Sequence, residues 1–349
     1  MKYTLKKRLR RNAITVYHGL QIDKLFMCFG VFDKKIDSSI KKFGKTSHLS
    51  ASELKNDIKK CYYKYLTTPD EYFLYSFEGK DDAYKRTFLP DNLKIRYLLK
   101  TVSEKKYVEE LCDKYNFYCI TKPYFKRAVI LLGGTNSASL TEFKDFVSKH
   151  KDLFAKPLSA SFGKGAHLVK INDSTDVARL YESYLAAEWI IEERIIQSVE
   201  IQQWNESSVN TVRLPCFLSA SGFHVLNPFL RTGRQGAIVD NGGSGGIFAC
   251  IDEHTGKICT NGIDELNNVY GNHPDSGIKF IDWQIPHWDD LLKTAEEIFR
   301  TCLPEHKYIG FDFALTDNGW VLVEGNWGQF LGQYASKKGI RYRFVEYLH

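Results

Sequence analysis

The sequence predicts an α+β fold in which helices and antiparallel strands are mixed along the chain. Residues 1–110 are rich in Lys, Tyr, Phe and Leu and are typical of helices, whereas short apolar segments separated by turn residues begin near residue 151. In segment 308–326, apolar runs flank Asp317-Asn318-Gly319, and glycine after asparagine is a strong hairpin signal. Strands, helices and hairpins in this order predict α+β architecture.

Composition excludes several classes of protein. A chain of 349 residues with 43% hydrophobic and 14% aromatic residues can bury a sizeable core, unlike a disordered protein. No apolar run approaches the roughly 20 residues that span a bilayer, and none follows the N-terminus as a signal peptide would, so we expect a cytoplasmic protein. The eight cysteines include no C-x-x-C pair, which argues against zinc and against a disulfide framework.

The net charge of +6 is modest, and much of the excess lies in residues 6–11, KKRLRR. Such a cluster is suited to peripheral contact with anionic lipid or an acidic partner, or it is a solvated tail. No nucleic-acid-binding signature is present, because aromatic residues do not interleave with a basic stripe. We therefore expect no nucleic-acid partner and no transmembrane segment.

Local signals mark the helices of the first part of the chain. Ser50 followed by Glu53 is a capping pattern that starts a helix running to about Tyr65. Pro69 and Asp91 lie in sequences typical of turns or of helix starts. These signals predict a mostly helical N-terminal region.

The second part of the chain shows shorter elements. Patterns there predict strands at residues 153–157, 166–171, 189–196, 209–219 and 223–232, and helices at residues 173–187 and 287–301. The apolar face of the first of these helices is formed by Val177, Leu180, Tyr184 and Leu185. The predicted hairpin at residues 308–326 follows the last helix.

The register of this hairpin decides which side chains share a face. A three-residue loop pairs Thr316 with Trp320, places Asp312 opposite Glu324 and brings Asn326 to the same face. A two-residue loop would send the two acids to opposite faces. With the three-residue loop, the other face collects the apolar residues Ile309, Phe311, Phe313, Leu315, Val321 and Val323.

Two features of the sequence suit a charged ligand. Two carboxylates and an amide on neighbouring strands are the hard oxygen donors that Mg²⁺ prefers, although an ordinary hairpin with its acids in water is the alternative. The loop at residues 159–165, SASFGKG, follows Lys156, and its glycines let backbone N–H groups approach an anion. It is not a Walker A loop, because G-x-x-x-x-G-K-[ST] is absent.

A serine nucleophile is not supported. The run at residues 242–246, GGSGG, matches G-x-S-x-G formally, but a nucleophile elbow turns from a strand directly into a helix. The residues that follow this run are typical of a strand and a turn instead.

The order of these parts resembles the ATP-grasp superfamily: a lysine on a strand, a glycine-rich hairpin, a helix, an apolar strand ending in acids, and Asp…Glu-x-Asn. From about residue 189 to 326 the sequence is similar to the sugar-transfer-associated ATP-grasp group, and the whole resemblance covers roughly residues 110–330. It is carried by the segments EERIIQ, SVNTVRLP, FLRTG, VDNGGSGGI, HPDSG, IPHW, IGFDFALTDNG and VEGN.

The resemblance implies two α+β subdomains clasping ATP, preceded by a helical region. It divides the chain into a helical N-terminal region (1–110), a lid or small subdomain (111–188) and a large subdomain with the Mg²⁺ site (189–349). ATP and Mg²⁺ are the implied cofactors. The N-terminal region departs from the superfamily, because no glycine-rich strand–turn–helix is found there.

The resemblance also implies which residues contact the phosphates. Lys156 would contact the α- and β-phosphates, and Lys114, which follows Asp113, matches an earlier family lysine. The 159–165 loop would close over the phosphates, and its candidate residues are Ser161, Gly163 and Gly165.

Further positions follow from the same resemblance. Glu193 and Ile195 would meet the adenine edge through the backbone, and Glu200 would hold the ribose hydroxyls. The two acids could instead be ordinary exposed residues. Asp312, Glu324 and Asn326 would bind Mg²⁺.

Two arginines are candidates for the reacting end of the site. Arg213 and Arg231 would bind the γ-phosphate or a substrate carboxylate, because a guanidinium matches both in bidentate fashion. Arg213 could instead pair with an acid on the neighbouring strand. The arginine that commonly precedes the first metal carboxylate is replaced by Ile309-Gly310-Phe311, and Arg231 is the candidate to supply that charge.

The implied activity is an ATP-dependent carboxylate–amine ligase that acts through an acyl phosphate. The group's name suggests that the chain joins an amine or amino acid to a sugar acid or related carboxylate in surface polysaccharide assembly. One alternative is a phosphotransferase acting on a sugar hydroxyl. Another is a non-catalytic nucleotide-binding partner of a glycosyltransferase.

Overall fold

The fold was taken from a computed structural model of the chain. It forms two compact units, Met1–Lys100 and Thr101–His349. The structure describes residues 31–44, 47–101, 106, 110–111, 113–158, 164–240, 242–326 and 330–349. The basic cluster at residues 6–11 and the loop residues Ser161 and Gly163 lie outside these ranges.

The described part of the first unit is helical, as predicted. Its helices are α1 (Val31–Phe43), α2 (Ala51–Tyr65), α3 (Pro69–Leu74), α4 (Asp82–Thr87) and α5 (Asp91–Thr101). Ser50 and Glu53 form the predicted capping box of α2, and Pro69 and Asp91 are the first residues of their helices. Proline is favourable there because its missing N–H has no helical partner. The local signals therefore located these helix starts correctly.

The second unit contains helices and antiparallel strands. In chain order they are α6 (Lys114–Phe125), β1 (Val129–Leu132), α7 (Leu140–Lys149), β2 (Asp152–Pro157), β3 (His167–Lys170), α8 (Val177–Tyr184), β4 (Trp189–Glu193), α9 (Val199–Gln202), β5 (Thr211–Ser219), β6 (Gly222–Val225), β7 (Phe229–Thr232), β8 (Ile247–Cys250), β9 (Gly262–Ile263), β10 (Val269–Tyr270), α10 (Trp288–Cys302), β11 (Tyr308–Thr316), β12 (Gly319–Asn326), α11 (Gly332–Ser336) and α12 (Arg341–Leu348). No helix in the described ranges is both long enough and apolar enough to cross a membrane.

The strands form two sheets. The smaller has the order β1-β4-β2-β3, and helices α7 and α8 bury Phe143, Phe146 and Tyr184 against it. The larger has the order β10-β9-β8-β7-β5-β11-β12, with β6 paired to β5. Helices α6 and α10 pack in the main core on one face of this sheet. This α+β arrangement confirms the predicted fold class.

The hairpin loop differs from the prediction. Thr316 pairs with Gly319 and Leu315 pairs with Trp320, so the loop is the two residues Asp317 and Asn318. Gly319 has a φ of +85°, which favours glycine, and it closes the turn from outside the loop. The predicted three-residue loop was therefore wrong.

A bulge restores the relation between the two acids. Phe313 pairs with Leu322 and Asp312 pairs with Glu324, so Val323 is an extra residue with no counterpart on β11. Such a bulge adds one residue to one strand and offsets the shorter loop. The prediction that Asp312 lies opposite Glu324 is thus confirmed, although by another route.

The bulge also changes which hairpin residues enter the core. Trp320 and Leu322 join Phe313 and Leu315 in the core that contains α10. Val321 is buried as predicted, but on the opposite face of β12, where it pairs with Ala314, because the two-residue loop shifts the alternation by one residue. The predicted core position Val323 was wrong, because this residue forms the bulge and is only partly buried.

Other boundaries differ for local reasons. Helix α8 starts only at Val177, because the Asp176 side chain caps it by accepting from the Arg179 N–H, and Leu185 lies beyond its end with 42% of its surface exposed. The predicted strand 223–232 is two strands, because Asn227 has a left-handed φ of +58° between them. Strand β1 and helix α7 were not predicted.

A buried guanidinium joins the two sheets of the second unit. Arg127 donates to the Glu192 carboxylate on β4 from Nε at 3.0 Å and from Nη2 at 2.7 Å. Its Nη1 donates to the carbonyl of Leu322 on β12 at 2.7 Å. Lys156 on β2 lies 2.8 Å from the other oxygen of Glu192. Arg127 and Lys156 hold the pKa of Glu192 below its ordinary value, although burial alone would raise it.

A buried histidine braces the loop after β10. His273 Nε2 lies 3.0 Å from the Gly233 carbonyl, and its Nδ1 accepts from the N–H groups of Asp275 and Ser276 at 3.3 Å. This pattern requires the neutral ring with its proton on Nε2. Burial lowers the pKa of His273, despite the hydrogen bond to Gly233.

Removing the carboxylate of Glu192 should destabilise the protein far more than removing the carboxylate of the next residue, Glu193. Glu192→Ala leaves two buried cations unpaired, which costs about 3–5 kcal/mol. Glu193→Ala removes a side chain that is 44% exposed and should change the free energy of unfolding by less than about 0.5 kcal/mol. Urea unfolding followed by tryptophan fluorescence measures both, and equal losses would contradict the assigned roles.

The free energy of unfolding should fall below neutral pH partly through His273. The unfolded chain takes up a proton on this residue near pH 6.5, while the folded protein resists it, so stability decreases as the pH falls through that value. His273→Gln keeps a donor for Gly233 and should lose less stability between pH 7.5 and pH 5.5. His306, whose pKa burial also lowers, is present in both proteins and cancels in the comparison. Identical losses would show that His273 is not responsible.

Candidate functional site

Two lysines lie close together beside the smaller sheet. Lys156 projects from β2 onto the buried carboxylate of Glu192, and its side chain is only 14% exposed. Lys114 is the first residue of α6, where the Asp113 side chain caps the helix. The Lys114 ammonium donates to the carbonyls of Pro157 and Leu158 at 3.1 and 3.4 Å. Burial lowers the pKa of Lys114, and the nearby Lys156 charge acts in the same direction.

Two carboxyl groups face each other on the larger sheet. Asp312 on β11 pairs with Glu324 on β12 at the bulge, and each carboxyl group affects the pKa of the other. Burial and the adjacent Asp312 raise the pKa of Glu324. The pKa of Asp312 lies below its ordinary value in spite of burial, because Arg213 and Arg231 stabilise its charge. Like charges at such a distance cannot both ionise without compensation.

Arg213 supplies part of that compensation. It lies directly opposite Asp312 in the pairing of β5 with β11. Its Nε donates to one Asp312 oxygen and its Nη2 to the other, the latter at 2.8 Å, while Nη1 donates to the Asn326 Oδ1 at 3.0 Å. The Asp312 charge raises the pKa of Arg213, although burial opposes this. The pairing with a neighbouring acid, left open by the sequence, is thus present.

Arg231 on β7 bridges two acids. Its Nη1 donates to Asp312 Oδ2 at 3.0 Å and its Nη2 to Asp240 Oδ1 at 2.6 Å. Asp240 lies after β7 and is buried, which raises its pKa, and it also accepts from the hydroxyl of Thr211. Both Arg213 and Arg231 therefore bring positive charge to Asp312.

The donor set fits a divalent cation. Asn326 lies beside the acid pair, and its Nδ2 donates to Glu324 Oε1 at 3.4 Å. Two carboxylates and an amide oxygen are the ligand types that Mg²⁺ takes together with phosphate oxygens. The described residues contain no metal cluster of three or more His, Cys, Asp or Glu side chains, and the third predicted ligand here is an amide.

The two lysines lie near the acid pair. Glu324 is near enough to both Lys114 and Lys156 for their charges to affect the pKa values of the site. The acid pair therefore lies between two groups of positive charge, the two lysines and the two arginines, and these residues form one continuous chain of charged groups. Six of the predicted residues in addition to Asn326 lie along it, as do the unpredicted Glu192 and Asp240.

Other predicted residues are not joined to this group. Glu193 ends β4 with a half-exposed side chain 3.5 Å from His150, and Ile195 lies two residues beyond the strand. Glu200 is half exposed, 3.4 Å from His287. Gly165 has a φ of +80° and packs against Pro157, at the described end of the glycine-rich loop.

Sequence reasoning missed three contributors to the site. Glu192 is the acid that holds Lys156, and Arg127 completes its environment. The sequence did contain a signal for Glu192. It is the first acid after the apolar residues 189–191, and it is more buried than Glu193, which follows it. Asp240, with Thr211, could not be found from local pattern because it comes from a loop.

Comparisons with solved structures find distant similarity. D-alanine–D-alanine ligase from Bacillus anthracis is 13% identical with a TM-score of 0.39, covering 68% of this chain and 64% of that one. The ATP-grasp ligase PsnB in complex with a minimal precursor is 12% identical with a TM-score of 0.43, covering 74% and 66%. The chain thus matches less than two thirds of either protein's length. With TM-scores below 0.5, neither likeness carries an argument about this chain.

A family model gives the clearer result. No curated protein matches the sequence. The model described as sugar-transfer associated ATP-grasp matches residues 86–346, which is most of the chain. This chain belongs to the sugar-transfer-associated ATP-grasp family.

Proposed function

We propose that this chain is an ATP- and Mg²⁺-dependent carboxylate–amine ligase. The observation that carries the proposal is the pairing of Asp312 with Glu324 on adjacent strands, with Arg213 and Arg231 bound to Asp312 and with Lys114 and Lys156 near Glu324. A metal and a polyphosphate together satisfy these charges, because each brings the sign that its neighbours lack.

The lysine side of the site would hold the nucleotide. Lys114 and Lys156 would bind phosphate oxygens, and Lys156 would exchange Glu192 for a phosphate. In this proposal Ser161, Gly163 and Gly165 cover the phosphates from the loop. Glu193 and Ile195 contribute backbone contacts to the adenine, and Glu200 contributes its carboxylate to the ribose.

The acid pair would hold Mg²⁺ together with Asn326. The ion would supply positive charge that stabilises the transferring phosphoryl group and neutralises the two carboxylates. Arg213 and Arg231 would bind the substrate carboxylate or the γ-phosphate in bidentate fashion.

In the proposed reaction, ATP converts the substrate carboxylate into an acyl phosphate, which has a good leaving group. A carboxylate oxygen attacks the γ-phosphorus of ATP, the bond to the β-phosphate oxygen breaks, and ADP leaves. An amine then attacks the carbonyl carbon of the acyl phosphate, inorganic phosphate leaves, and the nitrogen loses a proton to give the amide. The charged side chains hold the reactants in place and favour the transfer electrostatically.

We also propose particular substrate classes for this reaction. We propose a sugar acid or related carboxylate as one substrate and an amine or amino acid as the other, within surface polysaccharide biosynthesis and in the cytoplasm. The family description, which associates the group with sugar transfer, supports this choice. The basic cluster at residues 6–11 remains a candidate for peripheral contact with lipid.

The reaction can be tested with mixed substrates. The protein is incubated with ATP, Mg²⁺ and pools of uronic acids and amino acids, and ADP, phosphate and amide products are followed by mass spectrometry. Equal amounts of ADP, phosphate and amide are expected. ADP with a phosphorylated sugar and no amide would show a phosphotransferase, and no turnover with intact nucleotide binding would favour a non-catalytic partner.

Single substitutions should separate the site from the surface. Lys156→Ala and Glu324→Ala should lower turnover by at least roughly a hundredfold, as expected when groups that stabilise transferring charge are removed. Lys170→Ala and Glu346→Ala change side chains of the same types elsewhere in the unit and should leave turnover unchanged. Wild-type rates for either site variant would contradict the assignment.

The bulge should be essential for metal binding. Deleting Val323 moves Glu324 and Asn326 to the opposite face of β12 and should abolish Mg²⁺-dependent ATP binding, measured by calorimetry. Val323→Ala keeps the extra residue and should retain binding. Equal binding by the folded deletion variant and the alanine variant would show that the bulge does not position these ligands.

A further inference from the structure

The two arginines of the site are held differently. Within the described residues, every hydrogen bond of the Arg213 side chain goes to Asp312 or Asn326, which are two of the proposed Mg²⁺ ligands. Arg231 shares Asp312 but also donates to Asp240, which is not a proposed ligand. Arg231 thus has an anchor that does not depend on the metal site.

That anchor is itself held in place. Asp240 is buried, and it accepts from the Thr211 hydroxyl through Oδ2 and from Arg231 through Oδ1. Thr211 lies directly opposite Arg231 in the pairing of β5 with β7. Thr211 and Arg231 therefore lie on adjacent strands of one sheet and both donate to the Asp240 carboxylate of the following loop, which leaves this carboxylate little freedom to turn.

The bond between Arg231 and Asp240 affects how much of the negative charge of Asp312 is available to a metal ion. Each guanidinium on Asp312 competes with a cation for the same oxygens, because both are attracted to its negative charge. Asp240 engages Nη2 of Arg231, so Arg231 reaches Asp312 through Nη1. If Asp240 lost its charge, the Arg231 guanidinium would rotate so that two of its N–H groups donate to Asp312, and this ion pair would become stronger.

We propose that Asp240, oriented by Thr211, is a positioning residue that holds Arg231 beside the acid pair and limits its neutralisation of Asp312. This inference rests on the proposed Mg²⁺–ATP site. In it, Arg213 changes partners when the metal and nucleotide bind, whereas Arg231 keeps its bond to Asp240. Asp240 thereby lowers the Mg²⁺ concentration that nucleotide binding requires.

The experiment measures binding of a non-hydrolysable ATP analogue by calorimetry across a range of Mg²⁺ concentrations. Asp240→Asn should raise the Mg²⁺ concentration for half-maximal binding by roughly fivefold, the change expected for about one hydrogen bond. Thr211→Val should raise it by a smaller factor. Asp275→Asn changes a similar acid, which holds Arg234 at 3.0 Å outside the site, and should have no effect.

A second background separates positioning from general damage. In Arg231→Met, no guanidinium remains to turn onto Asp312, so adding Asp240→Asn should leave the Mg²⁺ requirement unchanged. The same increase in both backgrounds would overturn the inference, as would an unchanged requirement in both Asp240→Asn and Thr211→Val. If Asp240→Asn does not fold, Thr211→Val decides. A wild-type protein without Mg²⁺-dependent binding would overturn the proposed function as well.

Discussion

The placement of two carboxyl groups, Asp312 and Glu324, opposite each other on adjacent strands is the constraint around which the site is arranged. Two negative charges removed from water repel each other strongly, so one must be protonated or compensated. The chain compensates Asp312 with Arg213 from β5 and Arg231 from β7, while Glu324 has a raised pKa and lies near the lysines. A third acid, Asp240, then balances Arg231. The signs of the surrounding charges follow from that first pair.

The sheet accommodates this pair at little cost to its hydrogen bonding. Strand β12 is the last strand of the larger sheet, so the bulge at Val323 disturbs pairing on one side only. Bulges are common at sheet edges and next to active sites because they redirect side chains there. The same residue leaves Leu322 in the core and turns Glu324 towards the site. Core packing and ligand placement on one short strand are thus made compatible.

Local signals predicted the parts of the fold that depend on local chemistry. The capping box at Ser50 and the helix start at Pro69 were correct, because a cap depends only on nearby residues. The hairpin was found but its loop was not, since a bulge has no distinct sequence pattern. Glu192 was missed for a related reason: which acid faces Lys156 depends on the pairing of β2 with β4, and a helix and a strand separate these two strands in the chain. The convergence of Asp312, Glu324 and Asn326 was predicted because period-two alternation and the family resemblance pointed to the same three residues.

Arg127 gives the second unit a mechanical property. Its guanidinium holds a side chain of the smaller sheet and the backbone of β12, and the carbonyl it grips belongs to Leu322, immediately before the bulge. The carboxylate it grips, Glu192, also holds Lys156. A displacement of the smaller sheet would therefore be transmitted through the rigid, planar guanidinium of Arg127 to the bulge at Val323, which sets the direction of the Glu324 side chain. Arg127 thus connects the lysine side of the site to the strand that carries Glu324.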